Sequence, residues 1–472
     1  MSQLQPNSGS SDTLERRIGL RSAVALNMLE MIGVGPFITL PLVIAAAGYR
    51  LSVWAWLLGA AIAVADGLVW AELGAAFPRA GGSYAFLREI YGPQRAGNWL
   101  SFLYVWQVSF TAPLAIASGC IGLSSFLAWF WPGLDGAPIA ALPALHFTNF
   151  AAAGACLLVT ALLYRNLSSI TRLAWMLFAG VLAAIAGVIV SGFAHAAAAG
   201  GWRMPAAPTL SWSVASLGLA QATLLTTYCY WGYYNICFLG GEVRRPERTI
   251  PRAILLSLLF VAAFYVAMNL AALPSMRDAA AHAAESAMVR VQLVGDIARS
   301  AFGRWAGWLM ATLVIWTAFG SVFSLLLGYS RVPYAAARDG NYFRFLAAVH
   351  PRLGIPHRSL VALGLAAACF CFFSLTQVIT MLVITRILIQ FFLQHVGVML
   401  LRAQRPELKR PFRMPLYPLP PLVAMAGFVF MLVNRSHALG GLAVAAGIAC
   451  SGTLIYLFRA RGLGQWPFVR TE

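Results

Sequence analysis

Two short stretches hold residues whose types and spacing point to ligand chemistry. One is Gly33-Val34-Gly35-Pro36, inside "LEMIGVGPFITLPL" (29–42). The other is "TTYCYWGYYNICFLGGE" (226–242), where Gly232 is flanked by Tyr228, Tyr230, Trp231, Tyr233, Tyr234 and Asn235. Glycine weakens a helix, and proline removes a donor and clashes with the preceding turn. Each stretch should therefore break a helix and expose backbone N–H groups on one side and carbonyls on the other. The new N-terminus carries roughly half a positive charge, which suits a carboxylate. At the first break the donors would be Val34, Gly35 and Phe37, with Pro36 well placed at the first helical position. Gly33 and Gly35 leave the backbone open to a small ligand. At the second break, carbonyls near Tyr230–Gly232 would accept from an ammonium group. The chemistry expected is recognition of a small zwitterion.

Ionisable residues add to this. Glu30 lies one helical turn before the first break and suits a proton carrier, a cation site or the partner of a gating arginine. Asp66 and Glu72 lie six apart, so they need not share a helix face. Glu72 reads as a gate or capping ion pair, and Asp66 has no assigned role. Arg386, Gln390 and Gln394 form one polar stripe at helical spacing. His395 adjoins it on another face, equally suited to an interfacial position or a proton relay. A fixed cation at Arg386 would repel a polyamine and suit a zwitterion or carboxylate, unless Arg386 is neutralised by Asp66 or Glu30.

The elements that must position these residues are transmembrane. The chain has 472 residues, 60% hydrophobic and 10% charged, against about 25% charged in soluble domains. Twelve apolar segments fall at 23–47, 53–77, 97–129, 149–164, 173–194, 213–240, 253–274, 305–330, 359–376, 378–401, 416–434 and 438–458, and ~20 apolar residues span a bilayer. The first 22 residues are polar and lack a cleavable signal pattern. Of the 33 Lys/Arg, 25 fall on one set of alternate loops and tails, 7 on the other, and Arg386 within a span. The positive-inside rule then places both termini in the cytoplasm. The +18 net charge is thus a topology and lipid-headgroup signal rather than a nucleic-acid footprint. The seven cysteines lie in or beside apolar runs and read as small hydrophobes. No metal site or cofactor is expected.

The two breaks lie in the first and sixth segments. Five intervening spans would set two halves in opposite directions, the pattern of inverted-repeat secondary transporters with a site at paired discontinuous helices. Irregular backbone at that depth is tolerated where it is buried in protein or lines a cavity.

Several motifs then resemble one family. "IGVGPF" (32–37) looks like the first-helix break of the amino acid–polyamine–organocation superfamily, amino acid permease type. "WAELGAAFPRAGGSYAFL" (70–87), "GEVRRPERTIPRAI" (241–254), "YSRVPYAAARDG" (329–340), "HPRLGIPHRSL" (350–360) and "LLRAQRPELKRPFRMPLYPLPPL" (400–422) are similar to later elements, in the expected order. The resemblance implies an all-α membrane protein with twelve transmembrane helices, a LeuT-like five-plus-five inverted repeat with broken helices 1 and 6, and alternating access. It divides the chain into a cytoplasmic tail (1–22), a ten-helix core (23–401) and a two-helix extension with a short tail (402–472). It implies a substrate site at Ile32, Gly33, Val34, Gly35, Phe37, Tyr228, Tyr230, Trp231, Gly232 and Tyr233, with Tyr228 in the place of an aromatic gate. The α-carboxylate would sit on the first break and the amine on carbonyls of both.

Gating or coupling would involve Glu30, Glu72, Arg386, Ser321 and Ser324. Many relatives carry a fifth-helix lysine in place of a sodium ion, but here that position is Val181. Sodium at carbonyls near Ile32 and the hydroxyls of Ser321 and Ser324, a proton on Glu30, or uncoupled exchange all remain open. The segments 242–252, 331–339 and 402–413 are assigned to an inner gate and topology. An enzyme would need an acid–histidine constellation that is absent, and a channel a ring of selectivity residues. The expectation is a transporter of a small amino acid in the cytoplasmic membrane, with a polyamine or other organic amine as the alternative and a nutrient sensor as a further one.

Overall fold

Helix-breaking residues and long apolar runs set the course of the chain. The computed structural model describes residues 14–464 apart from 94, 128, 132–137, 140–141, 166, 204–211, 276–292, 374–385 and 435–437. Helix α1 (Leu20–Met31) stops before Gly33, and α2 (Gly35–Ala76) restarts with Pro36 in its first turn. Gly48, at φ +73°, bends α2 between the first and second apolar segments. Next come α3 (Ser83–Ile90), α4 (Ala96–Leu127), α5 (Phe147–Leu163) and α6 (Leu167–Ala198). Helix α7 (Trp212–Tyr230) ends in a turn over 231–234, and the short α8 (Asn235–Phe238) resumes. Then follow α9 (Pro246–Ala272), α10 (Leu293–Phe302), α11 (Arg304–Tyr329), α12 (Arg331–Arg338) and α13 (His357–Phe370). A π turn over Ile387–Phe391 leads into α14 (Phe392–Gln404), before α15 (Leu419–Val433) and α16 (Ala438–Gly462).

The architecture is nearly all helical. The departure from the all-α expectation is a small antiparallel pair, β1 (Pro138–Ile139) and β2 (Leu142–His146), between α4 and α5, with Pro138 opposite His146. Six of the described helices are long and apolar enough to cross a membrane, and α5, α13 and α15 are apolar but shorter. The end of the ninth apolar segment and the start of the tenth lie outside the described residues, as do residues 1–13 of the tail.

Many large apolar side chains face outward, among them Trp54, Leu158, Val190, Leu259, Trp305 and Phe458, as lipid-facing helices require. The centre is built by α1, α7 and α8, with α2 packed most extensively on α7 and α9, and α11 on α4 and α6. Glycines permit the close approaches: a Cβ on Gly59 would stand 2.6 Å from Thr226 Oγ1, and one on Gly74 2.8 Å from Ile250 Cγ2. At one end the backbone around 239–243 is clasped from both sides. Arg17 and Ile18 N–H both donate to Glu242 O at 2.9 Å, and Gly81 N–H donates to Phe238 O at 3.0 Å.

Candidate functional site

The two helix interruptions meet in the centre of the bundle. The first backbone bond of α2 runs from Ile38 N–H to Val34 O at 3.2 Å. The amides of Gly35 and Phe37 precede that ladder, as first-turn donors do. Opposite, α7 ends and Gly232 adopts φ +133°, a conformation open mainly to glycine. A Cβ there would stand 2.8 Å from Met31 N and from Glu30 Cγ, so the turn lies directly against the end of α1. Tyr265 of α9 fastens the two. Its hydroxyl lies 2.7 Å from Met31 O and 3.2 Å from Cys229 O, with its ring packed on Trp56 and Tyr230.

Between the interruptions lies a cavity of about 90 Å³. Of the residues expected from sequence it is lined by Glu30, Gly33, Val34, Gly35, Tyr228, Trp231, Ser321 and Arg386. A Cβ on Gly35 would meet only Cys229 Sγ, at 3.9 Å. Tyr228 Oη lies 3.4 Å from Ser118 Oγ of α4. Arg386 donates to Tyr234 Oη at 2.9 Å and stacks over Tyr329, 5.0 Å from the ring centre, and over Trp231 at 5.9 Å. Glu30 Oε2, Arg386 Nη2 and Trp231 Nε1 are buried without a hydrogen-bond partner among the described residues. Buried polar atoms ordinarily find partners, so this cavity presents unspent donors and an acceptor to whatever enters it.

Other expected residues lie elsewhere. Ile32 and Phe37 are buried in the hydrophobic core and do not line the cavity. Tyr230 turns away and donates to Trp56 O at 3.2 Å, and Gly232 is used up in the contact with α1. Tyr233 points to Asp66, to which its hydroxyl donates. The reason is geometric: over 228–235 each side chain leaves the chain in a different direction, so only Tyr228 and Trp231 of the aromatic group face inward. Ser321 donates to Glu30 O at 3.3 Å, and Ser324 to Leu26 O at 2.8 Å, so both hydroxyls hold α11 to α1. Val181, the position considered for a fifth-helix lysine, is buried beside Gly320 of α11.

Glu72 is far from the cavity. Arg402 grips it through two bonds of 2.9 and 2.5 Å, and Met414 N–H adds a third at 2.8 Å. A second buried pair joins Arg331 Nε to Glu242 Oε1 at 2.8 Å. Neither Asp66 nor Glu30 is hydrogen-bonded to Arg386; Asp66 faces His395 instead, 3.1 Å away. His395 is fully buried, which settles its position against the interface.

Sequence reasoning missed Thr39, Ile38, Cys229, Ser118 and Gly119 as lining residues. Thr39 and Ile38 follow the break by one turn and were within reach of helical periodicity. Ser118 and Gly119 lie on α4, where no local signal marks the inward face. Asn27 and Asn235 were also missed as fasteners: Asn27 Oδ1 accepts from Ile236 N–H at 3.0 Å, and Asn235 donates to Ser324 Oγ at 2.7 Å.

Comparison with known proteins identifies the family. A family model described as amino acid permease matches residues 18–458. An uncharacterized transporter of Mycobacterium tuberculosis (strain ATCC 25618 / H37Rv) is 33% identical over 372 residues, covering 76% of this chain and 74% of the relative. The serine/threonine exchanger SteT of Bacillus subtilis (strain 168) is 28% identical over 426 residues, 89% of this chain and 91% of the relative. The Asc-type amino acid transporter 1 of Homo sapiens is 27% identical over 438 residues, 91% and 79% respectively. With the match running through both helix interruptions and nearly the whole chain, this protein belongs to the amino acid permease family of membrane transporters, which are not enzymes.

Proposed function

We propose that the protein is a secondary active transporter that moves a small neutral amino acid across the cytoplasmic membrane by alternating access. In this reading twelve helices cross the bilayer with both termini cytoplasmic, residues 23–401 form a five-plus-five inverted repeat, and 402–472 are an added pair with a short tail. The interruptions at 32–34 and 231–234 are the broken first and sixth helices. The observation that carries the reading is the small cavity between them, with first-turn amides of α2 on one wall and the end of α7 on the other. The carboxylate sits on the free amides of the interruption, at Val34 and Gly35, which line the cavity. The ammonium sits on carbonyls at the end of α7, within Tyr230–Tyr233. Tyr228 and Trp231 cover the ligand, and Glu30, Arg386 and Ser321 complete the polar lining. Glu72, through Arg402, and Glu242, through Arg331, close the inner end.

Size and charge favour an amino acid over a polyamine. A cavity of about 90 Å³ suits a compact ligand, well below the usual drug-sized pocket. Arg386 also keeps its charge at any accessible pH and would repel a polycation. Two of the relatives are named as a serine/threonine exchanger and an Asc-type amino acid transporter, which points the same way.

The test is a thermal-shift screen of purified protein against the twenty amino acids and common polyamines, with and without sodium, at two pH values. Small neutral amino acids should stabilise the protein, by about 2.7 kcal/mol at a hundredfold excess over Kd, and be taken up by proteoliposomes. A response to polyamines alone would overturn the reading, and binding without uptake would favour a sensor.

A further inference from the structure

The buried group around Asp66 lies outside the cavity and has no part in the binding scheme above. Asp66 (α2) and His395 (α14) are both fully buried, with His395 Nε2 3.1 Å from Asp66 Oδ1. On its other side His395 Nδ1 lies 2.7 Å from Phe391 O. A carbonyl has no proton to give, so Nδ1 carries one and donates it. A neutral ring then presents a bare lone pair at Nε2 toward a carboxylate oxygen. Neither Nε2 nor Oδ1 completes a hydrogen bond elsewhere among the described residues. Asp66 Oδ2 is already taken as the acceptor of the Tyr233 hydroxyl.

Two bare acceptors at this distance repel when buried, and one proton between them removes the repulsion. It resides on Nε2 as an imidazolium–carboxylate pair or on Oδ1 as a carboxylic acid. Without it, a net negative charge is left at membrane depth with a single phenol donor, which is costly. Its surroundings do not compensate. Of the titratable groups nearby, Tyr234 and Cys237 lie on the turn and on α8, Glu72 lies further along α2 and is held by Arg402, and Arg386 is directed to Tyr234. Toward α15 the ring meets the edge of Phe428, 5.6 Å between centres, and beside Asp66, Gly67 abuts Leu258 and Ile254 of α9. Proton loss is therefore tied to a rearrangement that rehydrates or separates the pair.

We propose that Asp66 and His395 form a proton-binding site that couples amino acid transport to proton movement, through Tyr233. Tyr233 lies in the same four-residue turn as Trp231, which lines the cavity. Movement of that turn during transport pulls the phenol from Asp66, and the pair releases its proton on the side then open. This rests on the transporter reading above.

Proteoliposomes holding a pH dye and the amino acid found by the thermal-shift screen give the first test. With one proton per substrate, an acid-outside gradient of one pH unit should support about tenfold accumulation, and substrate entry should acidify the lumen. D66N and H395Q should keep substrate-for-substrate exchange while losing both the accumulation and the acidification. Wild-type exchange with no response to the gradient, or variants that retain the response, would overturn the proposal. A second test needs neither substrate nor a folded variant of full activity. The readouts are the ¹⁵N signal of His395, assigned by its absence in H395Q, and the carboxyl stretch of Asp66, assigned by its absence in D66N; one of the two should report a proton that the pair gains and loses. A ring and a carboxyl that both stay fixed whatever the pH would overturn the proposal as well. A preparation that neither binds nor exchanges any amino acid would refute the amino-acid reading instead, and these two signals would then decide this one.

Discussion

Gly232 and Tyr265 act on the same strip of backbone in opposite ways, one by having no side chain and the other by reaching across with a hydroxyl. Alanine at 232 must hold φ +133° and place its Cβ against Met31 N and Glu30. Such strain costs of order 1–3 kcal/mol, and Gly232→Ala should lower the denaturation midpoint along with uptake. Tyr265→Phe keeps the ring among Trp56 and Tyr230 but leaves Met31 O and Cys229 O without their donor. The loss should be about 1–3 kcal/mol in stability, and the KM for uptake should rise as the two breaks loosen. Gly35→Leu is the complementary case. Its Cβ meets nothing closer than 3.9 Å, so the side chain should fill the cavity and abolish uptake while expression and melting temperature stay near wild type. Uptake retained in this variant would refute the placement of the carboxylate. Gly33 differs from Gly35, because its Cβ would collide with Ser321 Oγ at 2.6 Å. The sequence presented the two glycines as equivalents, and packing alone distinguishes them.

At the scale of elements, the short pieces between helices are held by buried charge rather than by length. The pair of Glu242 and Arg331, each side chain about 2% exposed, ties the segment after α8 to the start of α12. Glu242 also accepts two backbone donors from residues 17 and 18 through its carbonyl. Removing one partner of a buried pair typically costs about 3–5 kcal/mol, because the other charge is left unpaired. Glu242→Gln should therefore be strongly destabilising, and the double variant with Arg331→Met less so than the two single losses combined. An additive result in that cycle would show that the pair is not coupled. Periodicity located these segments and their charges but not their partners: Glu72 lies 330 positions from Arg402, and no local pattern joins them. The tenth span is similar. Arg386 faces the cavity, and His395, nine positions on and so on the opposite face, meets Asp66 beyond a π turn over Ile387–Phe391. Helical spacing separated the two faces but named neither partner.

For the molecule as a whole, the distribution of positive charge and the apolar exterior make one prediction that the helix arrangement does not. On the proposed topology, single cysteines placed at 17 and 461 in a cysteine-free background should react with an impermeant thiol reagent only after the membrane is opened. Labelling from outside intact cells would reverse the topology. Exposed Leu, Val, Phe and Trp around the bundle also mean that stability is inseparable from the lipid or detergent that covers them. The serine/threonine exchanger aligns over 89% of this chain, so the family match extends through nearly all of the helices.

The sequence by itself determined that the chain is a helical membrane protein, where its helices break, and the order of motifs that ties it to its family. These are local properties: apolar run length, glycine and proline at membrane depth, and charge in loops. Tertiary structure decided which residues share a space. Tyr233 went to Asp66 instead of the ligand, His395 to a buried pair instead of the interface, and Ser118 of α4 to the cavity. Side-chain direction around a broken turn, and contact between residues hundreds of positions apart, follow from how helices pack. No periodicity along one segment contains that information.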